Sequence, residues 1–255
     1  MKQVIELIRE ASRIMTDSDH AAVSVKSRSN FVTEADVGVQ EFMRKGLQAL
    51  YPGYGFFSEE QENDPDYSKP MWILDPIDGT ANFITRYQQS ALSLALYAEG
   101  KVVFGAVYNP FADELFTAEA GKGAFCNGKP IHVDDEVDFG NAIIDLGTMP
   151  YYKDRAVEVG RFAAEIILRA SDIRRIGSAA LAMCYAAAGR TAAMMEGILQ
   201  PWDYAAGMLI ATEAGGLVTD WSGAPLEPKA PAAVLVSTNK TQSEILKMIE
   251  EVQNS

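Results

Sequence analysis

The segment 72–80, with the sequence Trp-Ile-Leu-Asp-Pro-Ile-Asp-Gly-Thr, holds two carboxylates that could bind a cation. The apolar run before Asp75 predicts a buried strand, and Pro76 disfavours a helical conformation for the residue that precedes it. The strand is therefore expected to end at Asp75. Asp78 follows three positions later, so the two carboxylates and the carbonyl oxygen of Ile77 can converge on one point. Three oxygen ligands suit a hard cation such as Mg²⁺.

The two residues after Asp78 could bind an anion beside that cation. Gly79 allows the backbone a positive φ angle, and Thr80 can open a helix whose free N–H groups face a phosphate. Acids next to proline and glycine are also common as turn and helix-cap residues. The segment by itself is therefore compatible with both a metal site and a structural turn.

Further acidic residues favour the metal site. Glu59-Glu60 follows an apolar aromatic run, and Asp203 begins an Ala-rich helix. Each has a simpler interpretation, because paired glutamates usually lie on a solvated face and Asp is a frequent N-cap residue. Glu196 follows an apolar strand that is predicted to end at Met195, which could place it with Asp203 on one rim of a cavity. From spacing alone, a solvated acid at a strand end fits Glu196 equally well.

Periodic apolar residues predict the elements that must position these acids. A first amphipathic helix is expected over about 2–16. A second begins near Thr33, where Thr33 and Asp36 resemble a capping box. Strands are predicted over 71–74, 90–97, 102–108 and 142–146, and then helices over about 154–170, 178–188 and 203–214 alternate with short strands before a last helix. We expect one α+β folding unit with two subdomains, about 1–146 and 147–255.

The composition is that of an ordinary globular protein. The chain has 255 residues, 48% of them hydrophobic, and a net charge of −13 from 22 basic and 35 acidic residues. Such a surface repels phosphate backbones and anionic lipid, so neither a nucleic-acid polymer nor a membrane is an expected partner. The two cysteines, Cys126 and Cys184, give no disulfide framework, and the charged residues near the N-terminus lead us to expect no signal peptide. A cytoplasmic location is expected.

Taken together, the motifs resemble those of the inositol monophosphatase family, in the same order along the chain. They are the segment 31–36 (Phe-Val-Thr-Glu-Ala-Asp), the pair Glu59-Glu60, the segment 72–80 with Asn82-Phe83, Trp202-Asp203 with the Ala-Ala-Gly of 205–207, the Glu-Ala-Gly-Gly of 213–216, the hairpin segment 127–131 and the Gly-Ser-Ala-Ala of 177–180. The resemblance runs from about Lys26 to Gly216. The combination of Asp-Pro-x-Asp-Gly-Thr with Trp-Asp is highly specific.

The resemblance implies a layered α-β-α-β-α fold and Mg²⁺-dependent hydrolysis of a small phosphorylated substrate, in a homodimer that lithium inhibits. It implies two or three Mg²⁺ ions per site, held by Glu59, Asp75, the Ile77 carbonyl, Asp78 and Asp203. Backbone N–H groups of Gly79 and Thr80 would hold phosphate oxygens. Asp36 would hydrogen-bond Thr80, and together with Glu59 these groups would orient and deprotonate the attacking water. Further substrate contacts would come from Gly177, Ser178, Ala179, Glu196 and Asp203, and Lys26 would lie near the site.

The chemistry of these residues agrees with that expectation. Four carboxylates within a few ångströms repel one another unless cations neutralise them. Two ions about 3.5–4 Å apart can bind the attacking water and the leaving oxygen of an in-line displacement, so no protein nucleophile is required.

The expected substrate is an inositol monophosphate. Related families with the metal motif act on fructose 1,6-bisphosphate, NADP or 3′-phosphoadenosine phosphate. The Asp-Gly-Thr-Ala-Asn-Phe of 78–83 is nearer to the inositol phosphatase pattern than to the Asp-Gly-Thr-Lys-x-Phe of the adenosine bisphosphate phosphatases. An alternative from a different class is a catalytically inactive, phosphate-sensing or partner-binding protein, and the intact ligand set argues against it.

Overall fold

The computed structural model describes residues 1–17, 23–27, 30–61 and 64–254, and side chains within them except those of residues 23–27, 30 and 31. This part of the chain contains seven α-helices and fourteen strands. The helices are α1 (Lys2–Asp17), α2 (Glu34–Leu50), α3 (Thr80–Ile84), α4 (Ala156–Arg169), α5 (Ala179–Ala187), α6 (Pro201–Glu213) and α7 (Gln242–Gln253). The strands are β1 (Val23–Ser27), β2 (Asn30–Thr33), β3 (Gly55–Ser58), β4 (Met71–Asp78), β5 (Ala91–Ala98), β6 (Lys101–Asn109), β7 (Glu114–Glu119), β8 (Ala124–Cys126), β9 (Lys129–Ile131), β10 (Ile143–Leu146), β11 (Asp172–Arg174), β12 (Ala193–Leu199), β13 (Leu217–Thr219) and β14 (Ala232–Ser237).

The strands form two large sheets and one hairpin. The first large sheet has seven strands in the order β3-β4-β5-β6-β7-β8-β9, and only β3 and β4 in it are parallel. The second has five strands in the order β11-β10-β12-β14-β13, and β1 pairs with β2. The chain passes from the first large sheet to the second between Ile131 and Ile143. The expected subdomain boundary near residue 146 stays a prediction.

Three hydrophobic clusters define the layers. The first joins α1 and α2 to one face of the seven-stranded sheet. The second places α5 and α6 between the opposite face of that sheet and the five-stranded sheet. The third joins α4 and α7 to the outer face of the five-stranded sheet. The order of layers is therefore α-β-α-β-α, which confirms the predicted fold class.

Helix α2 begins where its local sequence predicts. The Thr33 side chain accepts a hydrogen bond from the Asp36 N–H, and the Asp36 carboxylate accepts one of 2.7 Å from the Thr33 N–H. This reciprocal capping box satisfies backbone donors that the first helical turn leaves free. It also fixes the Asp36 side chain, which is fully buried and is not among the residues that line the cavity described below.

Helices α5 and α6 form a tightly packed middle layer because glycines allow close contact. Every residue of α5 except Tyr185 is buried. A Cβ atom at Gly105 would lie 2.8 Å from the carbonyl oxygen of Ala206, and one at Gly207 would lie 2.8 Å from the Met183 side chain. This packing brings the first turns of both helices to the same place as the end of β4.

The prediction that the strand ends at Asp75 is wrong, because β4 continues to Asp78. Asp75 pairs with Ser93 and Asp78 pairs with Ala91, so two residues of β4 lie opposite one residue of β5. This is a β-bulge, and it accommodates Pro76, which has no N–H for a regular ladder.

Two boundaries near the second acidic group also differ from the predictions. Strand β12 does not end at Met195 but continues to Leu199, so Glu196 lies inside it and pairs with Val234. Helix α6 begins at Pro201, and Asp203 is the third residue of the helix rather than its N-cap. The structure also adds short strands, such as β13, whose apolar residues are too few to show a period. None of the helices in the described ranges is long and apolar enough to span a membrane.

Candidate functional site

A cavity of about 750 Å³ lies where the end of β4 meets the first turns of α5 and α6. Ten of the predicted site residues line it: Glu59, Asp75, Ile77, Asp78, Gly79, Thr80, Gly177, Ala179, Glu196 and Asp203. They come from five separate stretches of the chain. The size is within the range of roughly 300–1,000 Å³ that is usual for small-molecule sites.

Three carboxylates converge in this cavity. Asp75, Asp78 and Asp203 each offer one oxygen atom, and these oxygens all lie within 4.8 Å of one another. Asp75 and Asp78 are buried, with 2% and 7% of their surface exposed, and Asp203 is half-buried. Glu59 lines the same cavity. We call Asp75, Asp78 and Asp203 the acid triad.

Local hydrogen bonds orient two members of the acid triad. One carboxylate oxygen of Asp75 accepts a hydrogen bond of 3.0 Å from the Ile77 N–H. The Asp203 carboxylate accepts one of 2.7 Å from the Gln200 N–H, as part of a capping box on α6. Both carboxylates keep lone pairs for another partner, because an ionised carboxylate has about four acceptor sites.

The third member, Asp78, is held by the N-terminus of α5. Its carboxylate accepts hydrogen bonds from the Ala180 N–H at 2.7 Å, from the Ala179 N–H at 3.3 Å and from the Ser178 hydroxyl. The predicted substrate-binding segment 177–179 therefore contacts a predicted metal ligand directly. The contribution of Ala180 was not predicted, although its position in the first turn of a helix that begins after Ser178 could have indicated a free N–H.

Gly79 is required by its surroundings. Its φ angle is +86°, and a Cβ atom there would lie 2.9 Å from the Gln89 carbonyl oxygen and 3.2 Å from that of Gly177. Only glycine adopts this conformation in so little space. The Asn82 side chain donates to the carbonyls of Gln89 and Ile176, at 2.7 and 2.8 Å, and so joins this turn to the segment before α5.

The three carboxyl groups of the acid triad resist ionisation in the folded protein. Burial raises the pKa of Asp75 well above its usual range, and the charges of Glu59 and Asp78 raise it further. Burial and then the charges of Asp78 and Glu59 likewise raise the pKa of Asp203. Burial also raises the pKa of Asp78, against the opposing hydrogen bonds from Ser178 and Ala180. A bound cation would remove this penalty, because it stabilises the charged forms.

The site fits Mg²⁺ by the chemistry of its donors. The acid triad and Glu59 offer only oxygen atoms, and hard divalent cations prefer oxygen ligands. A cation bound among these acids would offset the repulsion between their negative charges.

The expected hydrogen bond between Asp36 and Thr80 is not present among the described side chains. The Thr80 hydroxyl donates to the Ile77 carbonyl at 3.2 Å, and one Asp36 oxygen is occupied by Thr33 in the capping box. The other oxygen, Oδ1, is buried without a partner. Burial raises the pKa of Asp36 to about 6.

Glu196 lies in the cavity wall and holds the loop that contains Met149. One of its carboxylate oxygens accepts a hydrogen bond of 2.7 Å from the Met149 N–H. A Cβ atom at Gly147 would overlap the Glu196 carboxylate, so glycine there leaves room for it. The side chain is 5% exposed, and burial raises its pKa.

Several cavity residues were not predicted from the sequence. They are the aromatic residues Tyr87, Tyr151, Tyr152 and Trp202 and the cation Arg175. Arg175 could have been identified from its position, two residues before Gly177 in the segment that resembles the family motif. The side chain of Lys26, which was expected near the site, lies outside the described residues.

Comparison with known proteins places this site in a family. Residues 1–254 match the sequence profile described as the inositol monophosphatase family. The inositol-1-monophosphatase of Mesorhizobium japonicum is 38% identical over 221 residues, which cover 84% of this chain and 81% of that protein. The Nus factor SuhB of Xylella fastidiosa is 36% identical over 199 residues, which cover 78% of this chain and 72% of that protein.

A solved structure agrees with the sequence comparisons. The IMPase of Thermotoga maritima superposes with a TM-score of 0.89 and 30% identity, over 98% of this chain and 96% of the other. By the match over residues 1–254 and by these relatives, the chain belongs to the inositol monophosphatase family.

Proposed function

We propose that this protein is a Mg²⁺-dependent phosphatase that hydrolyses inositol monophosphate. The observation that carries the proposal is the acid triad, whose oxygens lie within 4.8 Å of one another in a cavity of about 750 Å³. The name of the Mesorhizobium japonicum relative, inositol-1-monophosphatase, supports the choice of substrate.

The metal ligands in this proposal are Glu59, the acid triad and the Ile77 carbonyl, around two or three ions. When bound, Mg²⁺ supplies Lewis acidity toward water and phosphate oxygens. The protein fixes the positions of the ligands, because hydrogen bonds hold Asp78 at α5 and Asp203 at the start of α6. Anchored ligands avoid reorganisation during the reaction.

In this proposal, the turn after Asp78 binds the phosphate, and it orients the water together with two acids from elsewhere in the chain. Backbone N–H groups of Gly79 and Thr80 bind phosphate oxygens, and Asp36, Thr80 and Glu59 orient the attacking water and take its proton. For this role the Thr80 hydroxyl turns from the Ile77 carbonyl toward the unpartnered Asp36 oxygen. A pKa of about 6 makes Asp36 a better proton acceptor than an ordinary aspartate.

The ring of the substrate lies against the opposite wall. Glu196 and Asp203 accept hydrogen bonds from ring hydroxyls, Gly177 and Ala179 line the approach, and Ser178 contributes through its hydrogen bond to Asp78. The Glu196 oxygen that does not bind Met149 is available for this contact. Hydrogen bonds of this kind to a charged acceptor contribute roughly 1.5–3 kcal/mol each.

Three further properties belong to the same proposal: a homodimer, inhibition by lithium and a cytoplasmic location. Sedimentation equilibrium tests the first, and LiCl titration of the Mg²⁺-activated enzyme tests the second. Nucleic-acid polymers and membranes are not proposed as partners, because the net charge of −13 opposes both.

The decisive experiment is a panel of phosphomonoesters assayed for phosphate release with and without Mg²⁺. The panel contains inositol 1-phosphate, fructose 1,6-bisphosphate, NADP and 3′-phosphoadenosine phosphate. We expect Mg²⁺-dependent release, with the highest kcat/KM on inositol 1-phosphate. A higher kcat/KM on another member would correct the substrate.

A second candidate is a partner-binding protein without catalysis. It is favoured by one observation, the relative that carries the name Nus factor SuhB. Mg²⁺ binding by calorimetry, combined with no phosphate release from any member of the panel, would support this candidate and contradict the proposed activity.

A further inference from the structure

Gln40 is a buried polar residue of α2 to which the proposed function gives no role. Its surface is only 4% exposed, although glutamine is mostly a surface residue. It lies one helical turn after Asp36, so the two side chains project from the same face of α2. A buried amide needs hydrogen-bond partners, and the partners of Gln40 indicate what it does.

The Gln40 amide holds the chain on both sides of Glu59. Its Oε1 atom accepts hydrogen bonds from the Ser58 hydroxyl at 2.6 Å and from the Glu60 N–H at 3.1 Å. Its Nε2 atom donates one of 3.0 Å to the Glu60 carbonyl oxygen. One side chain is therefore bound to the residue before Glu59 and to the residue after it. We call these three hydrogen bonds the Gln40 clamp.

Glu59 lies where the regular pairing between strands ends. Strand β3 ends at Ser58, and the Glu59 N–H makes a long hydrogen bond of 3.4 Å to the Leu74 carbonyl oxygen. Backbone groups beyond the end of a strand need partners other than the ladder. The Gln40 clamp supplies such partners to both backbone groups of Glu60.

The position of Glu59 matters because its charge acts on the acid triad. Glu59 lines the cavity, although it is not a member of the triad. In addition to burial, its charge raises the pKa of Asp75 and of Asp203. Contacts that orient the ligands of a metal site commonly change metal affinity by about 10- to 100-fold. The Gln40 clamp is such a contact if Glu59 binds the cation.

We propose that Gln40 is a positioning residue that fixes the backbone around Glu59 and so sets the affinity of the site for Mg²⁺. This inference rests on the proposed function, in which Glu59 is a metal ligand. A competing explanation is that the Gln40 clamp only stabilises the fold. The two explanations differ in whether Mg²⁺ affinity depends on Gln40, and in whether that dependence requires Glu59.

The test measures Mg²⁺ binding by isothermal titration calorimetry, on protein that has been treated with EDTA and dialysed. Gln40→Met keeps a similar side-chain volume and loses all three hydrogen bonds of the clamp. We expect its dissociation constant for Mg²⁺ to rise by about 10- to 100-fold. Phosphate release should then need a correspondingly higher Mg²⁺ concentration for half of the maximal rate, whereas kcat at saturating Mg²⁺ should change far less.

Two further variants accompany Gln40→Met. Ser58→Ala removes only one hydrogen bond of the clamp and should raise the dissociation constant by about 2- to 10-fold, as the net contribution of one such bond implies. It tests the inference even if Gln40→Met does not fold. Gln48→Met is the matched control, because Gln48 is an exposed residue of the same helix and its replacement should change the dissociation constant by no more than about twofold.

The decisive comparison repeats Gln40→Met in a Glu59→Ala background. If Gln40 acts through Glu59, its replacement there should have little further effect on the dissociation constant, because the effects of residues that act as a unit do not add. Equal effects of Gln40→Met with and without Glu59 would overturn the inference.

An unchanged dissociation constant in Gln40→Met, together with a lower free energy of urea unfolding, would also overturn the inference and favour a purely structural role. Mg²⁺ binding by wild type without phosphate release would contradict the proposed function, and the same dissociation constants would still decide the role of Gln40. Absence of Mg²⁺ binding by wild type would contradict both.

Discussion

The carboxylate of Asp78 accepts a hydrogen bond of 2.7 Å from the backbone N–H of Ala180, which lies 102 residues later in the chain. Asp78 ends a strand of the seven-stranded sheet, and Ala180 lies in the first turn of the middle-layer helix α5. The positive end of that helix stabilises the charge of a predicted metal ligand. The position of Asp78 in the acid triad therefore depends on the packing between layers.

Replacement of Asp78 by Asn should leave the fold intact and lower kcat by roughly 10² or more, the scale of losing one main electrostatic stabiliser. The Asn carbonyl can still accept from Ala180, so circular dichroism should be unchanged. Phosphate release at saturating Mg²⁺ measures the effect. The control is Asp172→Asn, which alters an exposed acid outside the cavity. A near-normal kcat would remove Asp78 from the ligand set.

Activity should require Mg²⁺ and be blocked competitively by excess Ca²⁺, because Ca²⁺ takes more ligands at longer distances and misplaces the water. Mg²⁺ should also stabilise the fold, by about 2.7 kcal/mol at a concentration of about 100 times Kd. Denaturant unfolding of EDTA-treated protein, with and without Mg²⁺, measures this independently of activity. Undiminished turnover in EDTA would exclude the metal mechanism.

Replacement of Glu196 by Ala should lower kcat/KM for inositol 1-phosphate by about 10- to 100-fold. Hydrolysis of p-nitrophenyl phosphate, which offers no ring hydroxyls, should change far less. Because Glu196 also accepts from the Met149 N–H, Glu196→Gln serves as a second variant that keeps this acceptor and removes the charge. Equal losses on both substrates would show that Glu196 serves the metals or the fold.

The loop opposite Glu196 offers a test that leaves the acid in place. In Gly147→Ala, the new methyl group would overlap the Glu196 carboxylate and displace it. We expect the substrate selectivity of this variant to resemble that of Glu196→Ala. Gly160→Ala is the matched control, since a Cβ atom in α4 there meets open space and should stabilise the helix by roughly 0.8–1.0 kcal/mol. Unaltered selectivity in Gly147→Ala would show that the loop moves and the Glu196 carboxylate stays in place.

Asp145 should make the protein less stable as the pH rises from about 4 to about 6. Burial raises its pKa to about 6 in the folded state from 3.8, so the folded protein binds the proton more tightly than the unfolded chain. Ionisation above pH 6 then costs at most about 3 kcal/mol of unfolding free energy.

Urea unfolding of wild type and Asp145→Asn at about pH 4 and about pH 7 measures this cost. The Asn oxygen can still accept the hydrogen bond of 3.1 Å from the Ile176 N–H. The free energy of unfolding of Asp145→Asn, minus that of wild type, should be larger at about pH 7 than at about pH 4. A constant difference would show that Arg175 already compensates the charge.

Local sequence determined much of the fold and of the site. The capping box of Thr33 and Asp36 fixes the start of α2, because each side chain meets a backbone group three residues away. A positive φ angle at Gly79 was predictable from its place after Asp78, whereas the close carbonyl oxygens of Gln89 and Gly177 were not. The motif residues Asp75 and Asp78 were identified from their spacing, and both line the cavity.

Other features depended on contacts between distant segments. The bulge that carries β4 past Asp75 exists because β5 pairs with it, and Glu196 lies within β12 because β14 extends that strand. No window of a few residues contains these pairings. Strand ends were therefore the least predictable part of the fold.

The sequence by itself determined which residues have the chemistry of a metal site, and the order in which the chain presents them. Only the tertiary structure decided that Asp203 meets Asp75 and Asp78, that α5 holds Asp78, and that Arg175 faces the cavity while Arg174 does not. The physical reason is the separation along the chain over which each kind of interaction acts. Periodicity, caps and φ preferences act over a few residues, whereas the convergence of side chains follows from how sheets and helices pack across the whole chain.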